Sequence, residues 1–186
     1  MRKLFEYGGI AASVVLIAFG IGSVVVGLNG RDRVQSNLAR EKIVGTPDSA
    51  IAGQRVDTGA EAEEFASTMR RHTLEATGGR TYAEMDRFLD KNGKETNDEK
   101  LAAKDPKSGE PVSNPERNIW VTSTALSQAL NTAYFAESVS AFVIVMGFAL
   151  LLCGIGFLVL TMRLIRQPAR APETRTRTSG ATATAS

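Results

Sequence analysis

The stretch Ser138-Val-Ser-Ala-Phe-Val-Ile-Val-Met-Gly147-Phe-Ala-Leu-Leu-Leu-Cys153-Gly-Ile-Gly-Phe-Leu-Val-Leu-Thr-Met162 holds no charged side chain and ends against Arg163. As a helix rising about 1.5 Å per residue, it exceeds the roughly 30 Å of a bilayer's hydrocarbon core. A second uncharged run, Tyr7 to Gly30, meets the same length test. The mean hydropathy of −0.08 is that of an ordinary soluble domain and hides this segregation. Of 22 Lys and Arg and 20 Asp and Glu, 33 lie between Arg31 and Glu137. The pattern predicts a mainly α protein, a two-span transmembrane helical hairpin with a small helical extracytoplasmic domain. Its segments would be a cytoplasmic N-terminus (1–6), a first span (7–30), an extracytoplasmic domain (31–137), a second span (138–162) and a basic, disordered cytoplasmic tail (163–186).

The start Met1-Arg2-Lys3 also suits a secretory signal. Such a signal has an apolar region of about 7–15 residues and a small-x-small cleavage site. The run to Gly30 is longer, and Gly27-Leu28-Asn29-Gly30 offers no Ala-x-Ala, so an uncleaved anchor is expected. Orientation follows from Lys and Arg near the span ends. Arg163, Arg166 and Arg170 follow the second span, and no Lys or Arg lies in the residues 118–137 before it. That predicts a plasma-membrane protein with both termini in the cytoplasm. The same arginines would attract anionic lipid headgroups, and nucleic acid is not expected as a partner.

Small residues at matching depths suggest that the spans pack on each other. Gly20 and Gly22 lie level with Gly147, and Ser13 with the stretch Gly154 to Gly156; Ser23 and Gly27 add a small-x-x-x-small pair. Contacts between copies of the chain would use the same residues. Cys153 is the single Cys and sits inside the second span, where an apolar phase disfavours a thiolate.

Between the spans, Val34 and Leu38 continue helical spacing until Gly45-Thr46-Pro47 stops it, and 48–57 read as a loop. Thr58-x-x-Glu61 is a capping box opening a helix that ends at Gly78-Gly79. Thr81-x-x-Glu84 repeats the signature, predicting a third short helix with Tyr82, Met85, Phe88 and Leu89. Residues 90–118 hold 13 charges and read as a flexible polar segment or a small hairpin around Asp105 to Glu110. From Ile119 periodicity returns and no Pro interrupts it before Ser138, so this helix and the second span are expected to be continuous.

The composition excludes several chemistries. One His and one Cys rule out a His/Cys zinc site of the usual kind, an internal disulfide and a two-His iron site. His72 has no Asp or Ser beside it in sequence to make it a general base, so a structural role is expected. Asp90-Lys-Asn92-Gly93 places its Gly fourth, where a calcium loop needs it sixth. Glu61, Glu63 and Glu64 suit the positive end of a helix dipole. No Asp, Glu, Lys, Arg or His lies in either span, which argues against an independent channel or pump.

Several stretches also carry a family likeness: Glu6-Tyr-Gly-Gly-Ile-Ala-Ala12, Asn29-Gly30-Arg31-Asp32, Ile43-Val-Gly-Thr-Pro-Asp48, His72-Thr-Leu-Glu-Ala-Thr-Gly-Gly79 and Asn118-Ile-Trp-Val-Thr122. In these the chain resembles a set of uncharacterised actinobacterial two-span membrane proteins, often labelled aromatic ring-opening dioxygenase. The resemblance implies the same topology. The label implies ring cleavage, which takes a non-haem iron held by two His and a carboxylate. With its one His, the chain is expected to be cofactor-free and non-catalytic. The expectation is therefore an envelope binding or assembly module, with the lipid bilayer and a protein partner or a second copy as its contacts. Trp120 and Val121 are the candidate contact patch, or alternatively a cap on the small core. The other expectations are an accessory subunit of a membrane enzyme or transporter, and an envelope-stress sensor reporting through the Arg-rich tail.

Overall fold

The computed structural model describes residues 2–166. Three helices dominate: α1 (Arg2–Glu41), α2 (Gly59–Ala76) and α3 (Pro115–Arg166), with a 3-10 turn at Tyr82–Glu84 and two short strands, β1 (Phe88–Leu89) and β2 (Glu95–Thr96). Both long helices, α1 and α3, are long and apolar enough to cross a membrane by length and composition.

The two pack antiparallel along a seam of small residues. On α1, Ser13, Gly20 and Gly27 are buried; on α3, Gly147, Gly154 and Thr161 are buried, with half-buried Ser140 one step above. Each set repeats every seven residues, the coiled-coil period that keeps one line of a helix facing its partner. Here the line is filled by side chains small enough for backbone contact. A Cβ on Gly20 would lie 2.8 Å from the carbonyl oxygen of Gly147, and one on Gly147 would lie 2.9 Å from that of Gly20. Gly27 is as close to the Ser140 carbonyl, at 2.9 Å. The Ser13 hydroxyl donates to the Gly9 carbonyl at 2.8 Å and so enters the seam without a free donor.

Two of the expected packing residues need correction. Gly22 and Gly156 have nothing within 4 Å of a would-be Cβ. Each helical residue turns about 100°, so a residue two places from a seam glycine faces away from the partner. Gly154 meets Leu16 and Ile17, a turn from Ser13.

Beyond Gly30 the helices continue, and α2 joins them. Leu38, Val56, Ala62, Phe65, Ala66 and Leu130 form the core, with Val34, Ile43, Met69 and Ala133 packed around it. The connection after α1 is ordered: Gly45 N–H donates to Gln54 O at 2.9 Å and Val56 N–H to Ile43 O at 3.0 Å, leaving Val56 only 1% exposed. Gly45 is required there, because a Cβ would lie 2.1 Å from the Ile51 carbonyl. α2 opens on the expected capping box, with Glu61 accepting from the N–H of Thr58 at 2.9 Å. It stops where Gly78 and Gly79 turn left-handed.

The helix expected after Thr81 does not form. Glu84 accepts from Thr81 N–H at 2.7 Å, yet the chain is extended again at Met85. Phe88 and Leu89 instead pair antiparallel with Thr96 and Glu95. The reason lies in the next turn: Asp90 Oδ1 takes the N–H groups of Asn92 and Lys94, both at 2.8 Å, and Gly93 is left-handed. That hairpin competes with the helix for the same backbone. Bridges Asp90–Ala102, Lys104–Pro111 and Phe88–Ser113 tie the rest of the polar segment to it. α3 then starts at Pro115, behind Asn114, whose side chain accepts from Glu116 N–H at 3.1 Å. It runs unbroken for 52 residues, about 78 Å at 1.5 Å per residue.

Candidate functional site

Glu137 sits on α3 one residue before the uncharged run, its side chain 13% exposed. It accepts from Arg31 Nε at 2.9 Å and Gln35 Nε2 at 2.8 Å on α1, and from the Gly59 N–H that opens α2. A carboxylate at that helix start meets the positive end of its dipole. One side chain thus ties three helices together where the charge-free zone ends. Nothing local marks Glu137 in the sequence, because its partners lie 106, 102 and 78 residues away.

A second cluster holds the top of the molecule. Arg80 pairs with Glu95 at 2.9 Å and with Glu116 at 2.5 Å. Buried Asn114 donates to Glu95 Oε1 and to the Asp86 carbonyl, both at 3.0 Å. The Glu116 bond, then that of Glu95, raises the Arg80 pKa above its ordinary value. Burial pushes the Glu95 carboxyl up, but the Asn114 and Arg80 hydrogen bonds outweigh it and hold it below its usual range.

Trp120 belongs to this cluster. It is 7% exposed, and its indole N–H donates to the Arg80 carbonyl at 2.8 Å and to Thr77 Oγ1 at 3.2 Å. An exposed Trp120 contact patch is therefore corrected: the ring is locked under the Arg70 guanidinium, 5.5 Å from its centroid. Neighbouring Val121 is 54% exposed.

The third cluster pins the 42–57 connection to α2. His72 Nε2 lies 2.6 Å from Asp48 Oδ2, which also takes Arg71 Nη1 at 2.8 Å. The His72 bond first, with that of Arg71, holds the Asp48 carboxyl well below the usual carboxylate range. The partner missing from the local sequence of His72 is 24 residues away, brought back by the chain reversal at Gly45. The iron implied by the ring-opening label finds no donor set here. The single His faces one carboxylate and a guanidinium, and among the described residues no three His, Cys, Asp or Glu side chains come together.

Between α2 and α3 runs a polar groove of about 340 Å³, with Glu63 and Ser67 on one wall and Ser127 and Asn131 on the other. It continues past Arg70 and Trp120 into a wider recess of about 710 Å³ that ends at Tyr82. On the opposite side of α3, Met69, His72, Ile119 and Leu126 line a more apolar depression of about 560 Å³. Of the expected topogenic residues, Arg163 and Arg166 stand in the last turn of α3; Arg170 lies outside the described residues. No protein-family model, no curated protein and no solved structure matches the chain.

Proposed function

We propose that the chain is an integral plasma-membrane protein. In this reading 7–30 of α1 and 138–162 of α3 cross the bilayer as an antiparallel pair, with both termini in the cytoplasm. The lobe of residues 31–137 stands outside as a non-catalytic binding module. One observation carries the membrane assignment: the paired segments are inside out for a soluble protein. Their seam is Gly and Ser, while Phe19, Val26, Phe142, Phe148, Leu152 and Leu160 are all exposed. In water such a belt would be a large unfavourable apolar surface; against lipid tails it is matched. The arginines at Arg163 and Arg166 support the orientation. A binding role is supported by the open α2–α3 groove, lined by Ser67, Ser127, Gln128 and Asn131.

A second reading, transmission of an external state to the cytoplasmic tail, is favoured by the unbroken course of α3 from Pro115 to Arg166. The topology is tested by cysteine labelling. With Cys153→Ser as background, Glu63→Cys should react with a membrane-impermeant maleimide in intact cells, and Ser186→Cys only after lysis. Protection of the lobe cysteine until lysis would overturn the orientation and the binding role built on it.

A further inference from the structure

Several hydroxyl-bearing side chains along α2 and α3 are committed to the protein. Thr73, Thr122, Thr132 and Ser140 each donate to the carbonyl four residues earlier, and Thr77 and Ser123 are held in the Trp120 cluster. The groove between the two helices gathers several that are not. Ser67, Thr124, Ser127, Gln128 and Asn131 line it, and none makes a side-chain hydrogen bond among the described residues. At its centre Arg70 stacks on Trp120 with no carboxylate partner among the described residues, while Arg31, Arg71 and Arg80 all have one. Where the groove widens, Tyr82 is stacked by Arg117, whose guanidinium carbon is 3.9 Å from the ring centroid. Arg117 also pairs with no carboxylate among the described residues.

We propose that this groove is a binding site for an acidic saccharide. The chemistry fits on three counts. A row of uncommitted hydroxyls and amides matches the dense alternating donors and acceptors of a sugar ring. A guanidinium with no carboxylate partner among the described residues, stacked on Trp120 and lining the groove, suits a carboxylate or phosphate. Exposed Ala125 and Tyr82, where the groove widens, suit the C–H faces of the same rings. The opening, about 340 Å³ in its narrow part, has room for a small oligosaccharide. Its biological use rests on the external lobe proposed above; the binding itself does not.

The test is titration of the purified full-length protein in detergent with tetragalacturonate, its methyl ester and neutral maltotetraose. The acid should bind about tenfold more tightly than its ester, the share expected of one charge-assisted bidentate contact. Arg70→Gln should abolish that preference with the folded helical signal retained by circular dichroism, Arg70→Lys should keep part of it, and Gln128→Ala should weaken acid and ester alike. Equal binding of acid and ester would overturn the proposal, as would failure of all three to bind. So would an equal loss in Arg33→Gln, on α1 away from the groove, which would reveal general charge attraction. Failure of the topology would appear in the labelling experiment alone, because the titration needs no membrane orientation.

Discussion

Gly147→Ala is expected to loosen the α1–α3 seam, whereas Gly22→Ala should leave it intact or tighten it. At Gly147 the added Cβ would lie 2.8 Å from the Val24 side chain, 2.9 Å from the Val24 nitrogen and 2.9 Å from the Gly20 carbonyl oxygen. Two of these atoms are backbone and cannot swing aside. Reaching ordinary contact distance requires the helices to part by roughly 0.5 Å. Gly20, Gly27 and Gly154 are all in backbone contact along the same line, so the separation propagates. Overpacking of this kind costs about 1–3 kcal/mol. Alanine's better helix propensity offsets about 0.5–1 kcal/mol of that. At Gly22 nothing lies within 4 Å, so only the propensity change remains. Because that change is common to both variants, their difference isolates the clash, about 1–3 kcal/mol. Thermal unfolding of the full chain in a single detergent, followed by far-ultraviolet circular dichroism, measures it. Equal midpoints, or a lower midpoint for Gly22→Ala, would refute the register.

Trp120→Phe keeps most of the ring but removes the indole donor from the Arg80 carbonyl, which retains Thr77 Oγ1 at 2.7 Å, so a loss of about 0.5–1.5 kcal/mol is expected in chemical denaturation. Trp120 is also the only Trp, so the intact protein should show blue-shifted emission that iodide scarcely quenches. Glu137→Ala leaves the Arg31, Gln35 and Gly59 donors without their acceptor; about 1–3 kcal/mol should be lost, with faster proteolysis of residues 42–57 as the local readout. The carboxyls of Asp48, Glu61, Glu84 and Glu95 are all held below their ordinary values. As pH falls, the unfolded chain therefore takes up protons first, near about pH 4. Stability should be fully present above that range and lost as pH drops through the lowered folded values. Melting temperatures from about pH 3 to 7 should show this loss, and Asp48→Asn should flatten it. An unchanged acid limb in Asp48→Asn would remove the His72–Asp48 contact from the account.

What could be read from the sequence was whatever a short window encodes. The two apolar runs, the Thr58–Glu61 cap, the Gly78–Gly79 stop and the continuity of α3 all depend on neighbours within a few turns. Matching glycines by depth correctly paired Gly20 with Gly147, but depth says nothing about which way a residue faces. The period-seven spacing of Ser13, Gly20 and Gly27 carried that information and would have excluded Gly22. The third helix failed because its capping box is real but competes with a turn nine residues later at Asp90. Glu137, Arg80 and the His72–Asp48 pair were invisible for a different reason. Their partners are set by tertiary closure, and no local pattern distinguishes them from solvated surface charge.

The seam also bears on where one part of the molecule ends and the next begins. Followed upward at intervals of seven, the α1 line reads Ser13, Gly20, Gly27, Val34, and the α3 line reads Thr161, Gly154, Gly147, Ser140, Ala133, Leu126. Above Val34 and Ala133 the buried positions step by four and three residues, to Leu38 and Leu130, and Leu126 is left exposed. Small residues hold two backbones in contact, while Val34, Leu38 and Leu130 require more room between them. That room admits α2, with Phe65 and Ala62 filling what two helices alone would leave open. Glu137 stands at the changeover and bonds to all the parties. The change of polarity at Arg31 and Ser138 thus falls within a continuous scaffold rather than at a break in it. A two-residue insertion after Gly30 would rotate Val34 and Leu38 by about 200° and carry them out of the core. The seam below would stay in register. The expected outcome is loss of the compact lobe, read as protease sensitivity beyond Arg31, with the apolar pair still folded in detergent. Simultaneous loss of both would mean that the lobe and the seam form one cooperative unit.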